Sequence, residues 1–371
     1  MTTRIIRLPT EHPETDLWRV LLRYAYESNI NAAFKGFGVV PQGDVTAAII
    51  TNIQQARAYF TAARGAALDI SPLLLYYGAT NLLAAVAMLR TGRPLNVSRH
   101  GMHLELGSSG ALLKDAILVA SDGQQGILHA LSTIMCPDDV SPGGVTWSLQ
   151  EILGRIPDVA LDFGWTHKGA PAVLRVRVID REFETVERLE FEDLPQPFPP
   201  EVVLHLLSKV KHFSASYLEP QRHHGALVLF RRRGSQELGV YTLDGRKALV
   251  LGAEKRGKVI TPSQPILFLM GLYVLGSLSR YYAHVWHPLV HRDVQGERMV
   301  IERVVSIAQR YVPQLALEYV YNARWRFDTQ HETPEDARET LSPEDVRQAI
   351  MKDRAAERLA DGHLRYDPAD L

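Results

Sequence analysis

Arg280, His284, His287 and His291 lie within "SLSRYYAHVWHPLVHRD", residues 277–293, at spacings i, i+4, i+7 and i+11. On one continuous helix they would share a side, drifting only ~20° per heptad. Histidine changes charge near neutrality and arginine is a permanent cation, so the set suits proton transfer beside an anion. It equally describes the wet edge of an Arg-Tyr-Trp cluster closing a helical core. Three imidazoles at spacings of three and four can surround a metal ion, with Asp293 adding a carboxylate. Pro288 argues against that geometry and turns His291 away, so neither metal nor cofactor is expected. The catalytic candidates are Arg280, His287 and His284.

Other residues could bind rather than react. "SRHGMHLELG" holds Arg99, His100 and His103 around Gly101, in a loop of the kind that carries sites. "YYGATN" holds Tyr76, Tyr77 and Asn81, and Tyr77 and Asn81 are helical neighbours expected to hydrogen-bond in a core. The densest basic patch is Arg222, His223, His224, Arg231, Arg232 and Arg233. Strand alternation puts Arg231 and Arg233 on one face, where they could meet phosphates. Cys136 lies before a proline with no obvious histidine partner and is read as structural. No phosphate loop, no GxGxxG after a strand and no GxSxG elbow is present.

The elements that must position these residues change along the chain. "PETDLWRVLLRYAYESN", "VTAAIITNIQQARAYFTAAR" after Asp44, and "SPLLLYYGATNLLAAVAMLRTG" read as helices. In the last, Ser71 can cap, Pro72 suits the first turn, and Gly92 with Pro94 ends it. Apolar residues run nearly all round it, which demands burial. From about residue 95 short Val- and Leu-rich runs read as strands, with Asp244–Gly245 as a hairpin turn. Helix returns at Pro262, with Pro313 expected to kink or break a later one. The predicted fold class is therefore α+β. Residues 1–94 and 262–332 supply a helical bundle, residues 95–255 a β-rich insert, and residues 333–371 a charged peripheral tail. The helix of residues 72–90 should pack on that of residues 265–286, because neither can face water.

With 371 residues, one core is less expected than two. A net charge of −1 supplies no global field for nucleic acid. One cysteine excludes an internal disulfide and a cysteine-based zinc site. "MTTRIIRLPTEHPETDLW" lacks a secretory apolar core, and "PILFLMGLYVLGSLS" is short for a membrane span. A cytoplasmic protein without membrane contact is the expectation.

Two resemblances add to this. Residues 54–91, with "PLLLYYG" and the following Asn-Leu, resemble the N-terminal signature of the bacterial YaaC-like family. "SRHGMHLEL" resembles that family's following "HG" segment, and "LSRYYAHVW" its late "LSRY…W" helix. Where the family has a proline soon after Arg-Tyr, this chain has Tyr282, Ala283 and His284. The resemblance implies an intracellular protein with helices around an insert, and no particular chemistry. More distantly, Arg280 and His287, with six residues between them, resemble the R-x4–6-H motif of HEPN ribonucleases, though those usually carry a polar residue where Tyr281 stands. That resemblance implies a metal-independent endoribonuclease, of toxin or phage-defence type, assembled across a dimer. A histidine and an arginine would there serve as proton carrier and phosphorane cation. Without a specific catalytic motif, the first functional reading is a non-catalytic binding or scaffold protein, and the ribonuclease is the alternative. A homodimer, a protein partner and RNA stay open as partners.

Overall fold

The structure is a computed structural model. It describes residues 5–8, 10–123, 126–137, 139, 141–159, 162–163, 172–179, 186–191, 205–211, 221–223, 226–232, 239–293 and 296–327. The chain is α+β and divides into two compact units. The larger takes in residues 3–172 and 252–330; the described residues of the smaller fall within 173–251.

The larger unit contains helices α1 (Pro13–Leu21), α2 (Glu27–Phe37), α3 (Val45–Gly65), α4 (Ser71–Thr91), α5 (Leu112–Asp115), α6 (Ile127–Met135) and α7 (Leu149–Leu153). After the smaller unit come α8 (Gln264–Tyr281), α9 (Ala283–Arg292) and α10 (Glu297–Tyr321). Helix α4 is apolar on all sides, and α3, α8 and α10 pack against it. Leu75, Ala79, Leu82, Leu83, Ala85 and Val86 are fully buried. Each buried leucine or valine there contributes roughly 1.5–3 kcal/mol relative to exposure. Glycines set the closest approaches. A Cβ on Gly78 would sit 2.8 Å from the Phe60 ring, and one on Gly276 3.2 Å from the Leu73 Cα. The expected packing of residues 72–90 on 265–286 is thus observed. Among the described residues α4 alone is long and apolar enough to cross a membrane as a single helix, and 72% of that stretch is buried in this core.

Local chemistry differs from expectation in two places, at Ser71 and Pro313, and agrees with it at Asp44. Ile70, not Ser71, is the N-cap of α4, and no side chain caps it. Asp44 does occupy the N-cap of α3, again without a side-chain bond. Helix α10 runs through Pro313, which is buried within it.

Residues 95–172 are less purely β than predicted. The strands Met102–Leu106, Ala116–Ala120 and Thr146–Ser148 form an antiparallel sheet with Ala116–Ala120 in the middle. Helices α5, α6 and α7 interrupt them. The larger unit also holds a parallel pair, Ile5–Arg7 with Arg324–Arg326, and a hairpin of Ala253–Lys255 with Lys258–Ile260. In the smaller unit, Val173–Ile179, Val186–Phe191, Gln221–His223, Ala226–Arg232, Val240–Tyr241 and Lys247–Val250 build one six-stranded antiparallel sheet. The predicted Asp244–Gly245 turn closes its last hairpin. Gly245 takes φ +87° and Thr242 N–H donates to Arg246 C=O at 2.9 Å. The charged stretch 333–371 lies outside the described residues.

Candidate functional site

The sequence places His100 on a loop, and the backbone holds that loop tightly. The carbonyls of Arg99 and His100 accept from Ile127 N–H (3.0 Å) and Leu128 N–H (3.3 Å). Those donors open α6 and would otherwise lack helical partners. Gly101 C=O accepts from Ser121 N–H at 2.9 Å. Gly101 sits at φ +72° against Gly126, and a Cβ on Gly126 would fall 2.5 Å from the Gly101 Cα. Only paired glycines allow that approach.

The loop delivers His100 to the second turn of α4. Its Nδ1 and the Tyr76 hydroxyl share a hydrogen bond of 2.6 Å. Tyr273, from α8, closes the group, and its hydroxyl donates to Met102 C=O at 2.6 Å. The rings of Tyr76, His100 and Tyr273 lie 5.4–5.6 Å apart in tilted and edge-on contacts, the arrangement aromatic quadrupoles prefer. Burial pushes both phenols up, so they stay protonated.

A second layer carries the charge. Tyr77 stacks on Tyr59 of α3 at 5.6 Å, and Arg280 Nη1 donates to its hydroxyl at 3.0 Å. Burial first, and the Arg280 guanidinium second, hold the His100 pKa below its ordinary value. Among the described residues neither Arg280 nor His100 has a carboxylate within 4.0 Å. Among the described residues the arrangement is a phenol cluster, an imidazole whose pKa is held down and an exposed guanidinium with no carboxylate beside it.

The row of Arg280, His284, His287 and His291 is not one helix face, which corrects the sequence-based expectation. Helix α8 ends at Tyr281, and α9 leaves it at 104°. The apolar face of α8 ends at Leu278, while Trp286 and Val290 of α9 are buried; the chain turns to sink them. Arg280 therefore joins α4, and the histidines follow α9. His284 is exposed, with its ring 6.4 Å from that of Tyr282. Pro288 does not divert His291: it lies inside α9, and the His287 and His291 rings are 4.2 Å apart. His291 Nε2 is 3.3 Å from Asp69 Oδ1. Among the described residues no group of three His, Cys, Asp or Glu side chains is placed to hold a metal.

The remaining candidates scatter. The Tyr77 hydroxyl accepts from Arg280, and the expected bond to Asn81 is absent; Asn81 is half-buried on α4. Arg99 acts through its backbone, bridging to Gly126. His103 is exposed beside Glu105 at 3.2 Å. Arg231 lies in the strand Ala226–Arg232, opposite Glu187 in register; Arg233 and His224 lie outside the described residues. Cys136 Sγ donates to Ser263 Oγ at 2.8 Å. Tyr59 and Tyr273 were not singled out in the sequence. One signal pointed to Tyr273: it precedes Arg280 by two helical turns on the same helix.

The family model of the YaaC-like Protein family matches residues 29–320. The chain belongs to the YaaC-like family. The matched span contains every member of the tyrosine, His100 and Arg280 cluster, and the α9 histidines as well. No curated protein matches the chain, and no solved structure does.

Proposed function

We propose that this YaaC-like protein is a non-catalytic binding protein that takes an anionic ligand at Arg280 and His100. One observation carries the reading: Arg280 stands exposed on an aromatic cluster, with a phenol as its hydrogen-bond partner and, among the described residues, no carboxylate beside it. A guanidinium offers five donors, and a single bond to Tyr77 leaves most of them for a ligand. His100, tethered at Nδ1, has Nε2 as its second hydrogen-bonding atom. Locked tyrosines lower the cost of ordering such a site.

Calorimetric titration with inorganic phosphate tests this. The wild-type chain binds, and Arg280→Ala weakens binding about ten- to a hundredfold, the scale of a charge-assisted hydrogen bond. Equal phosphate affinity in wild type and Arg280→Ala would refute the assignment. The ribonuclease alternative would bring Arg280 of α8 and His287 of α9 together across a dimer. As a binding protein the chain leaves single-stranded RNA intact in the presence of a chelator.

A further inference from the structure

The geometry points to a nucleoside monophosphate as the ligand class, its phosphate on Arg280 and its base on Tyr281. This rests on the anion reading above and adds a second contact to it. Tyr281 is the last residue of α8 and is 65% exposed. Few large apolar side chains on this surface are so open. Its ring is not idle: the Arg280 guanidinium carbon lies 4.9 Å from the ring centroid, so cation and ring form one unit. The guanidinium covers part of the ring, and its exposure leaves the rest to an incoming flat group. A bare phosphate has no use for that surface. A phosphate bearing a planar ring one sugar away does, because every nucleobase has a π-face that stacks on tyrosine or arginine. Arg280 itself sits between Tyr77, which orients it by a hydrogen bond, and Tyr281, which it overlies. The phosphate and the base are thus received by neighbouring residues at the corner between α8 and α9.

Because Tyr281 is exposed, it can be removed without opening the core. The test is calorimetry on the full chain with inorganic phosphate, adenosine, adenosine monophosphate and a tetra-adenylate RNA, using wild type, Tyr281→Ala and Tyr281→Phe. Adenosine monophosphate should bind about tenfold tighter than phosphate, the scale of one stacked base. Tyr281→Ala should abolish the advantage of adenosine monophosphate over phosphate measured on the same variant, and Tyr281→Phe should keep it. Phosphate binding that depends on Arg280, with no gain from the nucleoside, overturns the nucleotide assignment and leaves the anion reading standing. Absence of binding by all four probes overturns both. Tight tetra-adenylate binding, with the mononucleotide no better than phosphate, overturns it in favour of a strand.

Discussion

Arg280 and His287 are seven residues apart and live in different surroundings. Arg280 reaches α4, where Tyr77 holds it and Tyr59, Tyr76, Tyr273 and His100 pack behind. His287 stands on α9 with His291 as its ring neighbour, and His291 has only the half-exposed Asp69 to hold it. One group is built on rings fixed by long-range hydrogen bonds. The other is a surface row with, among the described residues, one histidine–carboxylate contact, of a kind that adds little stability. Residue type alone does not distinguish the two regions; what each side chain is anchored to separates them.

The anchored region should break most severely when its backbone is forced apart. Gly126→Val puts a side chain against Gly101 and should cost about 1–3 kcal/mol, the usual price of overpacking. Hydrogen exchange should also quicken at Ser121, Ile127 and Leu128, whose amides the loop holds. Unchanged exchange there would mean the loop does not depend on the glycine contact.

Tyr76→Phe removes a hydroxyl and leaves the ring, so it isolates one hydrogen bond. A loss of about 1 kcal/mol in chemical denaturation is expected. His100 should become more mobile, read as broadened imidazole signals. No change in either would place the tether elsewhere.

A smaller effect comes from acid. The His100 pKa lies below its ordinary 6.5 in the folded chain. As pH falls, the unfolded chain takes up the proton first. The contribution is therefore full above about pH 6.5 and is lost as pH drops through the folded value. Arg280→Ala removes one of the two causes and should raise the His100 pKa, as imidazole NMR would record. A pKa that does not move separates Arg280 from His100.

The α9 row should respond least. His287→Ala and His291→Ala should each stay within about 0.5 kcal/mol of wild type, as exposed substitutions usually do. A large loss in either variant would erase the contrast drawn between the regions.

Much of this fold was legible because it follows local rules. The all-round apolarity of α4 required helices around it, Gly92 ended it, and Asp244–Gly245 made its turn. His100, Tyr77 and Arg280 could each be singled out by type. Their joining could not: Tyr76 meets His100 across 24 residues, and Arg280 meets Tyr77 across 203. The histidine stripe misled for a physical reason. The 3.6-residue period was carried across Tyr282, where no glycine or proline marks the break. The bend lies where the α8 apolar face stops and Trp286 begins the buried face of α9. Pro288 and Pro313, which look like breakers, both sit inside helices.

The contrast reduces to one comparison of phosphate affinity, by calorimetry at neutral pH, between Arg280→Ala and His287→Ala. The anchored cluster as binding site predicts a ten- to hundredfold loss in Arg280→Ala, roughly the 1.5–3 kcal/mol of a hydrogen bond to a charged group, and wild-type affinity in His287→Ala. Wild-type affinity in Arg280→Ala, with the loss in His287→Ala instead, would contradict the account and move the site to the α9 histidines.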